Sequence, residues 1–118
     1  MNNHTYDRDL AERLIPFLRS VTREIRERSA KIDRLDRALE SRERRDPVAQ
    51  RNLMQARMVE HRRALREAER ELARLGCMLD DDHPLRVLIP GGSGSFEGGF
   101  AFDPERGGIE AIPVAGVR

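Results

Sequence analysis

The first 75 residues contain no glycine, and all nine glycines of the chain lie at or after Gly76. There is one cysteine, so neither an internal disulfide framework nor a Cys-based metal site is possible. Tryptophan is absent and aromatics make up only 4% of residues, which argues against a large aromatic-rich enzyme core. Lysine occurs once, at Lys31, and every other basic residue is arginine, a bias that points to genome composition rather than to a ligand. No apolar run approaches the roughly 20 residues of a membrane span. The start, MNNHTYDRDLAER, has no basic n-region and no apolar h-region, so a cytoplasmic location without membrane attachment is expected.

What is present divides in two. Residues 1–75 carry 19 basic and 14 acidic side chains, residues 76–118 only 3 and 7, so the near-neutral whole joins a basic part to an acidic one. The glycine-free part has helical periodicity. Asp7 is placed to cap a first helix, with Tyr6 before it packing back onto the first turn. Apolar residues then recur three or four apart from Ala11 and Leu14 to Leu35 and Leu39, skipping one position at Arg28. Pro16 inside this run should kink the axis. Asp46-Pro47 ends the first helix and starts a second, Asp46 as cap and Pro47 as first helical residue. The second stripe runs through Met54, Met58, His61, Leu65, Ala68, Leu72 and Leu75, extending to Leu79, with Gly76 suited to the left-handed residue that closes a helix. Helices are expected at about 7–44 and 47–75.

The two stripes match. In an antiparallel pair, facing residues have a constant sum of residue numbers, and Leu35 with Met54, Arg28 with His61, Ile25 with Leu65 and Leu18 with Leu72 all sum to 89 or 90. The polar interruptions Arg28 and His61 therefore share a layer. The expected fold is mainly α: a long, antiparallel, coiled-coil-like helical hairpin over residues 1–84, followed by a small Gly-rich β-meander or irregular module over 85–118. In that module, 85–89 reads as a strand, and Gly91-Gly92-Ser93-Gly94 as a flexible turn. The stretch 95–102 places Phe96, Phe100 and Phe102 at even spacing on one face. Asp103 to Gly108 reads as a turn, and Ile109, Ile112 and Val114 as a last strand.

The opening YDRDLAERLIPFL is similar to the start of the small proteins of the domain-of-unknown-function family 2203. Tyr6, Asp7, Ala11, Leu14, Ile15 and Pro16 carry the likeness, and ELARLGCMLDD, from Glu71 to Asp81, resembles that family's helix end. The likeness fades after about Pro84. It implies the helical fold and no reaction.

No catalytic set is legible. Asp80, Asp82 and His83 are candidates for a weak cation site, with a solvated turn as the plain alternative. Arg28 and His61 form a polar layer that sets register, or alternatively a pH-sensitive or anion-docking point. Arg42, Arg44, Arg45 and Arg51 at the hairpin tip are candidates for binding an anionic surface, although acidic residues are interspersed and no aromatic platform is present. Cys77 reads as a buried small hydrophobe. Leu10, Ile15 and Phe17, with Met78, widen the apolar stripe at the open end. Phe96, Phe100 and Phe102 are expected to dock there, in the same chain or in a second copy. The expected function is a non-enzymatic scaffold or adaptor that self-associates as a homodimer or higher oligomer, with no cofactor and an unidentified protein partner. The alternatives are nucleic-acid or acidic-surface binding through the tip, and a small metal-binding protein.

Overall fold

The computed structural model describes residues 4–41, 47–83 and 85–114. Three helices, α1 (Arg8–Arg13), α2 (Ile15–Ser41) and α3 (Val48–Arg74), precede four strands, β1 (Met78–Leu79), β2 (Val87–Ile89), β3 (Phe100–Asp103) and β4 (Gly108–Ala111).

The expected first helix is two helices. Asp7 caps α1, accepting the Leu10 amide at 2.8 Å. Pro16 cannot donate to the Glu12 carbonyl, and its ring would crowd that oxygen. The chain answers with a tight turn, Leu14 N–H to the Ala11 carbonyl at 3.1 Å, and restarts with Leu18 N–H on the Leu14 carbonyl at 2.8 Å. Pro16 thus becomes the second residue of α2, where no amide donor is required. On α3 the cap is Pro47, with ψ 143°, rather than the first helical residue. Asp46 lies outside the described residues.

Helix α3 ends as its glycine predicts. Gly76 has φ +77°. Its N–H reaches the Ala73 carbonyl, and the Cys77 N–H reaches the Leu72 carbonyl, both at 3.0 Å. That pair of bonds closes the helix and turns Cys77 into the core beside Leu72.

α2 and α3 pack along their length as a hairpin, so the long axis of the molecule is 60 Å against 29 and 22 Å across. Its radius of gyration, 18.1 Å, exceeds the roughly 13–14 Å of a compact chain this size. No described ion pair bridges α2 and α3; each joins residues close in sequence. Apolar burial sets the pairing, because exposed pairs of this kind contribute about 0–1 kcal/mol. No helix among the described residues is long and apolar enough to cross a membrane.

The sheet is an antiparallel meander in the order β1-β2-β3-β4. Its register aligns Leu79, Val87, Phe102 and Ile109 in one row. Val87, Ile89, Phe102 and Ile109 enter a single core with Ala11, Leu18, Val21, Ile25, Ala68, Leu72 and Cys77. Helix base and sheet therefore share one interior across the expected boundary at residues 84 and 85. Several strand limits differ from expectation. Met78 and Leu79 do not continue the helix stripe but form β1, since the helix has already closed at Gly76. Leu85 sits at φ +70° and precedes β2 rather than opening it. Phe96 belongs to the loop before β3, and β4 ends at Ala111, before Pro113. The glycine run is a bonded loop rather than a loose turn. Gly94 donates to the Gly91 carbonyl, Gly91 to that of Ser95, and Gly98 to that of Ile112, at 2.9–3.0 Å.

Candidate functional site

The polar layer of the hairpin is the most defined group of charged side chains between the helices. Arg28 Nε donates to Glu24 Oε1 at 2.7 Å, one turn back on α2. Its NH1 lies 2.8 Å from His61 Nδ1 on α3. A guanidinium only donates, so His61 Nδ1 must accept, which makes the imidazole neutral with its proton on Nε2. Desolvation within the fold, and next the Arg28 charge, hold the His61 pKa below its ordinary value of 6.5. The folded state thus takes up this proton at lower pH than the unfolded chain, and the layer's stabilisation is present above about pH 6.5 and is lost as the pH falls toward the depressed value. The urea midpoint of the wild type is expected to drop between about pH 7.5 and about pH 5.5 by more than that of His61→Gln. Equal drops would assign the acid sensitivity to other groups.

The acidic turn is held by its own backbone. Asp80 Oδ1 accepts the Asp82 amide at 3.0 Å, and Asp80 Oδ2 lies 3.9 Å from Arg86 NH1. Among the described residues no three His, Cys, Asp or Glu side chains converge to hold a metal, so Asp80, Asp82 and His83 are not brought together as ligands. At the tip, Arg42, Arg44 and Arg45 lie outside the described residues. Arg51 is half-buried, with its Nε enclosed and making no hydrogen bond, rather than displayed for an anion.

The apolar residues at the open end separate into different roles. Phe102 is fully buried, and Ile15, Phe17 and Phe100 pack at the margin of the core. Leu10 and Met78 remain 43% exposed, and Phe96 is half-buried outside the core. The core that takes in Phe102 also holds Leu18, Leu72 and Cys77, while Leu10 and Met78 stay outside it.

Tyr6 has a role that the sequence does not announce. Its hydroxyl donates to the Leu75 carbonyl at 2.8 Å, satisfying one acceptor left over at the end of α3. Its ring stacks on His4, with centroids 6.4 Å apart. Burial raises the Tyr6 pKa, which keeps the hydroxyl a donor. The contact spans 69 residues, beyond any local pattern. Cys77 is buried beside this tie, and desolvation pushes its thiol up to about 11.

No curated protein and no solved structure matches the chain. A family profile does match over residues 4–91, running past Pro84 to just beyond the end of β2 and so taking in all three helices and the first two strands. The chain belongs to the family described as "Uncharacterized conserved protein (DUF2203)".

Proposed function

We propose that the protein is a non-enzymatic scaffold or adaptor of the cytoplasm that self-associates through its helical hairpin. The observation that carries this reading is the distal arm. Beyond the shared core, α2 and α3 pack only against each other among the described residues. Met58 is buried there, while Ile32, Leu35, Leu39 and Met54 are only half-buried. On α3 the arm also displays Val48 at 71% exposure and Leu53 and Val59 at 51% each. Val48 and Val59, eleven residues apart, stand on one flank of α3, with Leu53 on the other, and a second copy applied about a two-fold axis would cover the Val48–Val59 flank α3 against α3.

The side chains best suited to chemistry support a non-enzymatic reading, because each serves the fold. Thr22 Oγ1 donates back to the Leu18 carbonyl at 2.8 Å, the Tyr6 hydroxyl closes α3, and the Cys77 thiol stays protonated at neutral pH.

Light scattering at high micromolar concentration is expected to give about twice the chain mass of 13.5 kDa. The double variant Val48→Glu/Val59→Glu is expected to be monomeric with unchanged helix content, since both residues lie outside the hairpin seam. A strictly monomeric wild type sinks self-association. Salt-sensitive retention of that monomer on nucleic acid would favour the tip-binding alternative.

A further inference from the structure

Two clefts adjoin beside the base of α2. The smaller, about 200 Å³, is lined by Arg19, Thr22, Arg23 and Arg26 of α2 and by Pro104 of the β3–β4 turn. The larger, about 690 Å³, shares Arg26 and Pro104 and continues along Arg86, Asp103, Glu105 and Glu110. The spacing of Arg19, Arg23 and Arg26, four and then three residues apart, places their side chains on one helical face.

Among the described residues no acid lines the smaller cleft. Arg19 NH2 donates to the Gly107 carbonyl at 3.2 Å and so ties the turn to the helix. Arg23 and Arg26 make no ion pair or hydrogen bond with the described residues. Like charges one turn apart destabilise a helix, and Glu27, one turn beyond Arg23, forms no ion pair with it among the described residues. The acids stand on the far wall instead. Arg106 is already paired with Glu110 and lies 3.9 Å from Asp103, so the larger cleft is close to neutral and rich in acceptor oxygens.

We infer that the joined clefts bind a small organic phosphate. The phosphate sits among Arg19, Arg23 and Arg26, whose guanidiniums donate to its oxygens. The body of the ligand carries hydroxyls that donate to Asp103, Glu105 and Glu110, as a sugar phosphate or a nucleoside monophosphate would. The larger cleft has the volume of a small-molecule site. Its three carboxylates would repel a nucleic-acid backbone running through it, which favours a single phosphate over a polymer. All lining residues come from one chain and none from the arm residues 48–59, so this site stands apart from self-association.

The test is calorimetry on the full chain with glucose 6-phosphate and AMP, each against its dephosphorylated parent, and with inorganic phosphate and short single-stranded RNA. The expected result is binding of at least one ester at or below millimolar concentration, roughly tenfold or more tighter than its parent and tighter than inorganic phosphate. The tighter of the two esters identifies the body. Arg23→Gln/Arg26→Gln should lose at least roughly tenfold in affinity, and Arg62→Gln/Arg63→Gln should lose none. In the unmutated protein, the guanidinium Nε–H resonances of Arg23 and Arg26 should move on titration while those of Arg62 and Arg63 stay. Equal binding of ester and parent, binding of neither ester, or unmoved Arg23 and Arg26 resonances would overturn the proposal. RNA bound tighter than both esters would replace it with a nucleic-acid surface.

Discussion

Phe102→Ala is expected to cost about 3–5 kcal/mol, a large part of the roughly 5–15 kcal/mol that stabilises a domain. Phe102 is the largest fully buried side chain among the described residues. It pairs with Val87 on one side and Ile109 on the other, and from the middle of the sheet it enters the core formed by Leu18 and Leu72. Truncation would leave a void that rigid helices on one side and a hydrogen-bonded sheet on the other cannot close. Phe96, four residues before β3, is half-buried and outside that core, so Phe96→Ala should cost much less. Urea unfolding of the two variants checks the contrast. Equal losses would mean that the sheet is not docked through Phe102.

Gly99→Ala is the second large effect, expected at about 1–3 kcal/mol or more, by overpacking. A Cβ at Gly99 would lie 2.2 Å from the Ile89 carbonyl oxygen, 2.7 Å from the Gly91 nitrogen and 3.0 Å from the Phe96 carbonyl oxygen. All three are backbone atoms, and the two carbonyls end β2 and close the loop, so no side chain can swing aside. The alanine must pry the β2–β3 connection open, at the point where the Gly99 carbonyl accepts the Ile112 amide. Gly92, in the same glycine-rich run, is the control. Nothing lies within 4 Å of a Cβ there, and its backbone is not left-handed. Gly92→Ala should be neutral or stabilise by about 0.4–1 kcal/mol through the unfolded chain. Thermal unfolding of the pair gives shifts of opposite sign if the loop is built as described. A common small shift would show that Gly99 has room.

The hairpin was legible because its information is local and repeated. A period of three to four residues marks each buried face, and a constant sum of residue numbers aligns the two faces. The layer predicted for Arg28 and His61 places NH1 2.8 Å from Nδ1. Asp7 and Gly76 act at the ends of their helices through bonds spanning a few residues, which a sequence pattern can carry. The arginine cleft was only half legible. The spacing of Arg19, Arg23 and Arg26 stands in the sequence, but so do many other arginines, and nothing local distinguishes a solvated row from one that faces a turn some eighty residues later.

By itself, then, the sequence determined two long helices, their pairing, the break near Pro16 and a glycine-rich end of short strands. Tertiary structure alone decided that Met78 and Leu79 leave the helix stripe to pair with Val87 and Leu88, since a two-residue strand has no period to read. It decided which phenylalanine is buried, because even spacing along a strand loses its meaning once the loop before Phe100 turns at Gly94 and Gly98. It also decided that the Tyr6 hydroxyl closes the far end of α3 and that Pro104 walls the Arg23 cleft. These contacts join residues far apart in the chain, and they exist only after the sheet has folded back onto the base of the hairpin and the two have come to share one core.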